Sequence, residues 1–347
     1  MDEEYRRSGI ASELVAYSEE WAKKAGLLQI RAWSGNEKTE AVSMWRNLGY
    51  GLCSAKIWLE WCETAVDGYY AVKQLNLVNP YPNITKLIRQ DLSEVSPEPI
   101  QNFRLISDDD GVYVYKCLYG GVPAVVKYFE NEDDRREILN YKILTRHGIP
   151  TIKTFALGKT IVVMEDISAS ENWRLGIAED LNDTEVAKSL AGWYFMFHEN
   201  SSEVSELDTL FFEFAQISKE NLQMLSKKLP EAIELFEFLL ENYDKLYDLV
   251  FSPTFTMTYN DFYWTNFVVR KDKKAVMMFD YNCMGKGYRF SDFRNVCWSM
   301  SDEAKNMFQE EYNRLYFEKH KSNRAEAEKL EERIDSVAGP LYTLIIA

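Results

Sequence analysis

A chain of 347 residues with a formal net charge of −15 repels polyanions, which argues against nucleic acid and anionic membrane surfaces as partners. Hydrophobic residues at 46% and aromatics at 14% suit packed cores in two or three substructures, yet no apolar run approaches the roughly 20 residues that span a bilayer. Five cysteines, Cys53, Cys62, Cys117, Cys283 and Cys297, are odd in number and form no Cys-x-x-Cys pair, so neither a zinc site nor a disulfide framework is expected. The acidic start Met1-Asp2-Glu3-Glu4 lacks a signal-peptide profile, and the expectation is a cytoplasmic protein.

Arg6-Arg7-Ser8-Gly9-Ile10-Ala11 opens a predicted helix with apolar positions Ile10, Leu14, Tyr17, Trp21 and Ala22, stopped at Gly26. Leu27 to Trp33 then reads as a strand, Glu40 to Asn47 as a short helix and Leu52 to Trp61 as another strand. An Arg-x-x-Gly-x-Ala turn at a helix N-terminus is a natural pyrophosphate cradle, through exposed amides and the helix dipole. The order resembles the C-terminal half of the GNAT acetyltransferase superfamily. Arg6, Gly9 and Ala11 fall on its acetyl-CoA pyrophosphate loop, and Ala41 to Tyr50 on its late helix and following turn. The resemblance covers about residues 3–62 and lacks the first half of that fold. Trp45, with no suitable proton to give, stands where many members place a tyrosine general acid. What the resemblance implies is a partial GNAT-like α/β module over residues 1–65, kept for packing or as a homodimer contact rather than for acetyl transfer.

Residues 66–100 read as a linker with one helix, Ile84 to Leu92, between the breaks Asn79-Pro80-Tyr81-Pro82-Asn83 and Ser96-Pro97-Glu98-Pro99. Phe103 to Ile106 and Val112 to Tyr115 follow as strands around an acidic turn, Ser107 to Gly111. Val122 to Phe129 is a β-rich run with Lys127 near its end. An acidic turn from Glu130 to Asp134 leads into a helix that is apolar at Ile138, Tyr141, Ile143 and Leu144 and carries Glu137. Thr160 to Ile167 reads as a buried strand running into a hinge, which closes a small lobe over residues 101–167. From 168 to 347 the pattern is helical, with predicted helices Glu179–His198, Leu210–Leu225, Pro230–Phe251 and Asp302–Phe317. Glu318 to Ile334 reads as a solvated, charged helix. The apolar end, Leu341 to Ala347, is expected to be either a cut packed helix or an anchor returning to the core. His198, ending an apolar helix, has a capping or supporting role as its default.

The most informative stretch is Thr258-Tyr259-Asn260-Asp261-Phe262-Tyr263-Trp264-Thr265-Asn266, followed by the strand Ala275 to Phe279 and then Asp280. Phosphoryl transfer needs a carboxylate to orient the attacking hydroxyl, with an amide oxygen and a second carboxylate to hold Mg²⁺ against nucleotide phosphates. A loop presenting Asp261, a short strand Phe267 to Val269, a hairpin turn at Lys271 to Lys274 and a return strand would deliver Asp280 to the same mouth. Of the aromatics in the loop, Phe262, Tyr263 and Trp264, packing beneath it is the expected use, with acceptor contact the alternative.

Here the chain resembles the aminoglycoside phosphotransferase and choline kinase-like branch of the protein-kinase-like fold. That branch reads His-Gly-Asp-x-x-x-x-Asn; this chain has Tyr259-Asn260-Asp261, so the Asp and Asn positions carry over and the His does not. The resemblance implies an α+β, bilobed fold and places the metal-binding Asp on Asp280. It makes Lys127 the cation on the phosphates, Glu137 its helix partner, and Met164, Glu165, Asp166 and Ile167 the hinge that meets the base. Asp292, in Ser291-Asp292-Phe293-Arg294-Asn295, would buttress the catalytic loop. Gly111 and its neighbours would offer amides to the phosphates with Asp108 to Asp110 facing water; otherwise nucleotide binding is weak.

The reading is a small-molecule phosphotransferase using Mg²⁺ with ATP or GTP, with Asp261 catalytic and Asn266 and Asp280 on the metal. Residues 1–65 carry a net charge of −2 and the remainder −13, which suits a cationic acceptor of the aminoglycoside or choline kind. The alternatives are a non-catalytic nucleotide or ligand sensor, motivated by the acidic turn and Tyr259, and a bifunctional acetyltransferase–phosphotransferase.

Overall fold

The computed structural model describes residues 10–25, 27, 29–59, 63–75 and 81–347. The chain divides into two compact units, residues 1–83 and 84–347.

The first unit runs α1 (Ile10–Lys24), β1 (Gln29–Gly35), α2 (Thr39–Asn47), β2 (Gly51–Leu59) and β3 (Thr64–Gln74). Its antiparallel sheet has the order β1-β3-β2, so the segment from residue 66 that reads as linker is instead the central strand. Asp67-Gly68 resembles a turn signal but stays extended here. A Cβ at Gly68 would lie 2.4 Å from the Ser34 carbonyl oxygen, so only glycine lets the neighbouring strand approach. α1 also departs from expectation: Ile10, Leu14, Tyr17 and Trp21 are 40% to 71% exposed, and the buried residues are Glu19 and Ala22. An ion pair accounts for that choice of face. Lys73 Nζ donates to both Glu19 carboxylate oxygens at 2.9 Å and to the Leu48 carbonyl at 2.7 Å. The predicted helix stop, Gly26, lies outside the described residues.

The second unit opens with α3 (Pro82–Val95), whose role is more than a tether. Asp91 on its buried face accepts from the amides of Lys159 and Thr160 at 3.0 and 2.6 Å and from the Thr160 hydroxyl at 2.7 Å. The helix is thereby fixed to the turn between two strands of the small lobe. That lobe is an antiparallel sheet of β4 (Ile100–Asp109), β5 (Val112–Tyr119), β6 (Val122–Phe129), β7 (Thr154–Leu157) and β8 (Ile161–Glu165), in the order β4-β5-β6-β8-β7. α4 (Arg136–Arg146) follows β6 and buries Ile138, Tyr141, Ile143 and Leu144, the positions its periodicity picks out.

A larger, mainly helical lobe completes the α+β fold. β9 (Trp173–Leu175) precedes α5 (Thr184–Glu199), which Asp183 caps by accepting from the amides of Glu185 and Val186. α6 (Lys219–Lys228), α7 (Ile233–Glu241) and α8 (Tyr243–Val250) follow, with the helix expected over 230–251 divided at Asn242. Next come β10 (Thr256–Thr258), β11 (Phe267–Arg270), β12 (Val276–Met278) and β13 (Gly285–Gly287). α9 (Arg289–Trp298), α10 (Asp302–His320) and α11 (Ala325–Ile346) close the chain. The segment 318–334 is not one solvated helix: Lys321, at φ 55°, breaks it between α10 and α11. α11 also turns a face inward, burying Glu331, Ile334, Asp335, Ala338 and Leu341. Its charges are matched where they enter: Arg324 Nη2 donates to Glu331 and Arg294 Nη1 to Asp335, at 2.9 and 2.6 Å. Leu341 packs in one cluster with Phe214, Phe236 and Tyr288.

Candidate active site

β10 ends at Thr258, and the chain turns sharply because Asn260 adopts φ 64°, a left-handed conformation that Asn tolerates better than most residues. One buried carboxylate holds this bend. Asp292 on α9 accepts from the Tyr259 amide at 3.0 Å and the Asn260 amide at 3.1 Å. His198 Nε2 lies 3.0 Å from Asp292 and its Nδ1 lies 2.9 Å from the Tyr312 hydroxyl. Arg289 Nη1 donates to that same hydroxyl at 2.6 Å, so the Tyr312 proton points to Nδ1 and the imidazole proton sits on Nε2, facing Asp292. Burial, helped by Arg289 and Arg324, holds His198 well below the usual histidine range, consistent with a neutral ring. Burial pushes Asp292 up to about 7 against the pull of the Asn260 and Tyr259 amides. Arg289 and Tyr312 in this network carried no motif signal; their convergence is made by α9 and α10.

Tyr259, where the family pattern has His, is fully buried and reaches the next strand. Its hydroxyl donates to the Phe279 carbonyl at 2.5 Å and lies 3.2 Å from the Asp280 carbonyl. Asp280 itself sits at φ 60°. β11 and β12 pair antiparallel with Phe267 opposite Met278, and the Phe279 amide donates to the Asn266 carbonyl at 3.1 Å. Asn266 and Asp280 therefore leave the same end of one hairpin. Its turn lies at residues 271–274, with Lys273 at φ 64°. Asn266 Nδ2 donates to Asp261 Oδ2 at 2.9 Å and to the Asp261 carbonyl at 3.1 Å, which orients the carboxylate. Burial raises Asp261 above the ordinary carboxylate range, Asp280 adds to the rise and Asn266 opposes it.

Lys127 joins the two lobes of this unit. Its Nζ is 2.6 Å from Glu137 Oε2 and 2.7 Å from Asp280 Oδ1. Burial works against the ammonium, but Glu137 and Asp280 together carry Lys127 above the usual lysine range. Glu137 is fully buried, and burial pushes it up to about 7 although Lys127 pulls it down. Its second oxygen, Oε1, has no hydrogen-bond partner among the described residues.

These groups border a cleft of about 280 Å³ that also meets Ser107, Asp109, Asp110 and Asp134. The acidic turn expected over 107–111 is shorter than its sequence suggests. β4 runs to Asp109, and the turn is Asp110-Gly111 alone, both at positive φ, as a tight hairpin requires. Asp109 and Asp110 border the cleft while staying exposed to water, so its rim holds carboxylates around one ammonium. Gly111 accepts from the Glu130 amide at 2.9 Å, which ties the hairpin to the loop before α4.

In the hinge segment Met164 and Ile167 are core residues. The Asp166 carboxylate is occupied by Lys116 at 3.0 Å and by the Ser168 hydroxyl at 2.7 Å. Glu165 ends β8, and its amide donates to the Lys153 carbonyl at 2.9 Å. The side chains of Met164, Asp166 and Ile167 are thus committed within the protein. In the loop from Tyr259 to Asn266 Phe262 is buried and stacks on Phe267 with ring centroids 5.8 Å apart, while Tyr263 is 53% exposed. In the first unit, Arg6 and Gly9 lie outside the described residues, Ala11 is in the first turn of α1, and Trp45 Nε1 donates to the Ser34 hydroxyl at 3.0 Å.

The donor chemistry fits a hard cation. Asn266 turns its amide nitrogen to Asp261, and its oxygen, which accepts from the Thr265 hydroxyl at 3.2 Å, keeps a second lone pair that could reach a metal beside the Asp280 carboxylate. No group of three or more His, Cys, Asp or Glu side chains that could cage a metal occurs among the described residues. Two protein oxygens without a cage suit Mg²⁺, which keeps waters and shares nucleotide phosphates.

The model of the phosphotransferase enzyme family matches residues 102–330, and that of the acetyltransferase (GNAT) family matches residues 1–50. No curated protein gives a significant match. Among solved structures, a macrolide 2′-phosphotransferase from Brachybacterium faecium aligns at 13% identity over 76% of this chain and 92% of its own, with a TM-score of 0.51. An ethanolamine kinase from Plasmodium vivax aligns at 14% identity over 78% and 76%, with a TM-score of 0.44. A spectinomycin phosphotransferase, in complex with ADP and spectinomycin, aligns at 12% identity over 76% and 97%, with a TM-score of 0.41. The first of these shares the bilobed, protein-kinase-like fold. No helix among the described residues is long and apolar enough to cross a membrane.

Proposed function

This chain belongs to the phosphotransferase enzyme family, and from that membership we propose that it moves the γ-phosphoryl group of ATP or GTP to a hydroxyl of a cationic small molecule. The observation that carries the reading is the meeting of Lys127, Glu137 and Asp280 beside a catalytic loop in which Asn266 orients Asp261. Lys127, held by Glu137, would bind the α- and β-phosphates, with the backbone of Met164 to Ile167 against the base and the Gly111 turn over the phosphates. Asn266 and Asp280 would hold Mg²⁺, which when bound neutralises phosphate charge and suits the acidic cleft. Asp261 would accept a hydrogen bond from the acceptor hydroxyl and take its proton late, as the new O–P bond forms and the bridging β–γ P–O bond breaks. In so loose a transition state placement counts for more than basicity, which the Asn266 contact supplies. The net charge of −13 beyond residue 65 favours cations over anions in the field around the site.

A coupled assay of nucleotide turnover with a panel of hydroxylated amines tests this. Asp261→Ala should lower kcat by about a hundredfold or more, the scale of a positioned acid–base group, with little change in nucleotide affinity. Turnover at the wild-type rate would remove Asp261 from the role.

A further inference from the structure

A second, larger cavity, of about 1010 Å³, opens next to Asn260, the neighbour of Asp261, between α9, α11 and the turn Glu213–Gln216. That volume is at the upper end for sites that hold drug-sized ligands, far more than a small ammonium compound fills. Its charged lining is sparse. Glu213 and Asp335 supply two carboxylates and Arg294 one guanidinium, which leaves a single uncompensated negative charge. Arg294 holds one oxygen of Asp335 at 2.6 Å; Asp335 is only 4% exposed, and its other oxygen, Oδ1, has no hydrogen-bond partner among the described residues. Glu213 makes no hydrogen bond or ion pair among those residues, and burial raises its carboxyl, with Arg294 pulling the other way. The rest of the wall sets Asn295, Ser336 and Thr343 beside Pro340, Tyr342 and Leu344, with Phe214, 3% exposed, behind it and Trp298, 88% exposed, at the end of α9.

We propose that this cavity receives an acceptor bearing one organic cation on a large apolar skeleton, its ammonium taken by Glu213 and Asp335 and its body lying on Tyr342, Leu344 and Trp298. The inference rests on the phosphotransferase reading and narrows its acceptor. A polycationic amino-sugar would bring several ammonium groups to a wall with one charge to answer them, and Arg294 would repel the extras. A small choline-like cation would satisfy Glu213 but leave the apolar part of the wall wet. One cation with a broad apolar body satisfies both: Glu213 answers the charge, and burying the body against the exposed indole of Trp298 supplies affinity.

The test is calorimetry on the full chain at low salt with three hydroxyl-bearing probes: quinine, with one basic amine on apolar rings; choline; and kanamycin. Quinine should bind saturably and about tenfold tighter than either of the others, a difference of about 1.4 kcal/mol. Glu213→Gln should weaken it about tenfold and Trp298→Ala at least about threefold, each with an unchanged melting temperature as the folding control. Choline or kanamycin binding as tightly as quinine, no saturable quinine binding, or indifference to Glu213→Gln would each overturn the inference. Its failure separates cleanly from that of the parent reading. Asp261-dependent phosphoryl transfer to a neutral or polycationic acceptor would discard this acceptor class alone, whereas nucleotide turnover indifferent to Asp261→Ala would discard the parent reading.

Discussion

Lys127 and Asp280 are 153 residues apart in sequence, yet their charged atoms meet at 2.7 Å. The pair couples the third strand of the small lobe to the loop after β12 and commits one Asp280 oxygen to an ammonium. Asp280→Ala should therefore abolish Mg²⁺-dependent nucleotide binding, while Lys127 keeps its Glu137 partner and the fold persists. Thermal shifts with nucleotide, with and without Mg²⁺, measure this. Wild type should rise in melting temperature only when both are present, and an equal rise in Asp280→Ala would remove the metal assignment.

Tyr259 takes over a structural task at a position where the family pattern has His. Its buried hydroxyl serves the carbonyls of Phe279 and Asp280. Tyr259→Phe removes the donor without changing the ring, leaving those carbonyls short of a partner. The expected cost is about 1–3 kcal/mol in urea unfolding, together with a lower kcat as Asp280 loses its backbone support. Tyr259→His should recover part of the loss by restoring a ring N–H donor. A Phe variant as stable and as active as wild type would show that the hydroxyl contributes nothing.

Glu137 predicts a pH dependence with a definite sign. Its carboxyl is raised from an ordinary value of 4.5 to about 7, so between these limits the native state binds more protons than the unfolded chain. Stability from this group is present at the bottom of that window and lost as pH rises through it, at up to about 1.4 kcal/mol per pH unit. Glu137→Gln deletes this titration. The stability of wild type relative to the variant should then be greatest near pH 5 and least near pH 8, read from urea denaturation at both. A difference that stays constant with pH would contradict the proton assignment.

For the first unit the expectation is no acetyl transfer to amines and weak affinity for acetyl-CoA. Trp45 spends its only N–H on Ser34 and offers no acid. Calorimetry with acetyl-CoA and a free-thiol assay over an amine panel measure the two separately. Binding at micromolar concentration, or turnover on any amine, would restore the module to the enzymes.

Much of the phosphotransferase region was readable from local pattern alone. Helical spacing picked out the buried face of α4, and the hairpin from Phe267 to Asp280 followed from a short apolar run, a Lys-rich turn and a second apolar run. Such patterns survive in sequence because each depends on neighbours within a few residues. What they could not assign was which partner each element would meet. β3 looks like linker until β1 and β2 pair on both its edges, and α1 turns its Glu19 side inward only because Lys73 waits there. The charged run from residue 318 reads as solvated, yet Glu331 and Asp335 are buried against Arg324 and Arg294. The Tyr312–His198–Asp292 chain behind Asn260 likewise joins residues from three helices. The sequence by itself determined the α4 helix, the hairpin from Phe267 to Asp280 and the kinds of side chain in the loop from Tyr259 to Asn266, since those rest on backbone periodicity and short spacing. Tertiary structure alone decided which faces are buried and which distant charges pair, because burial and Coulomb energy depend on separation in space.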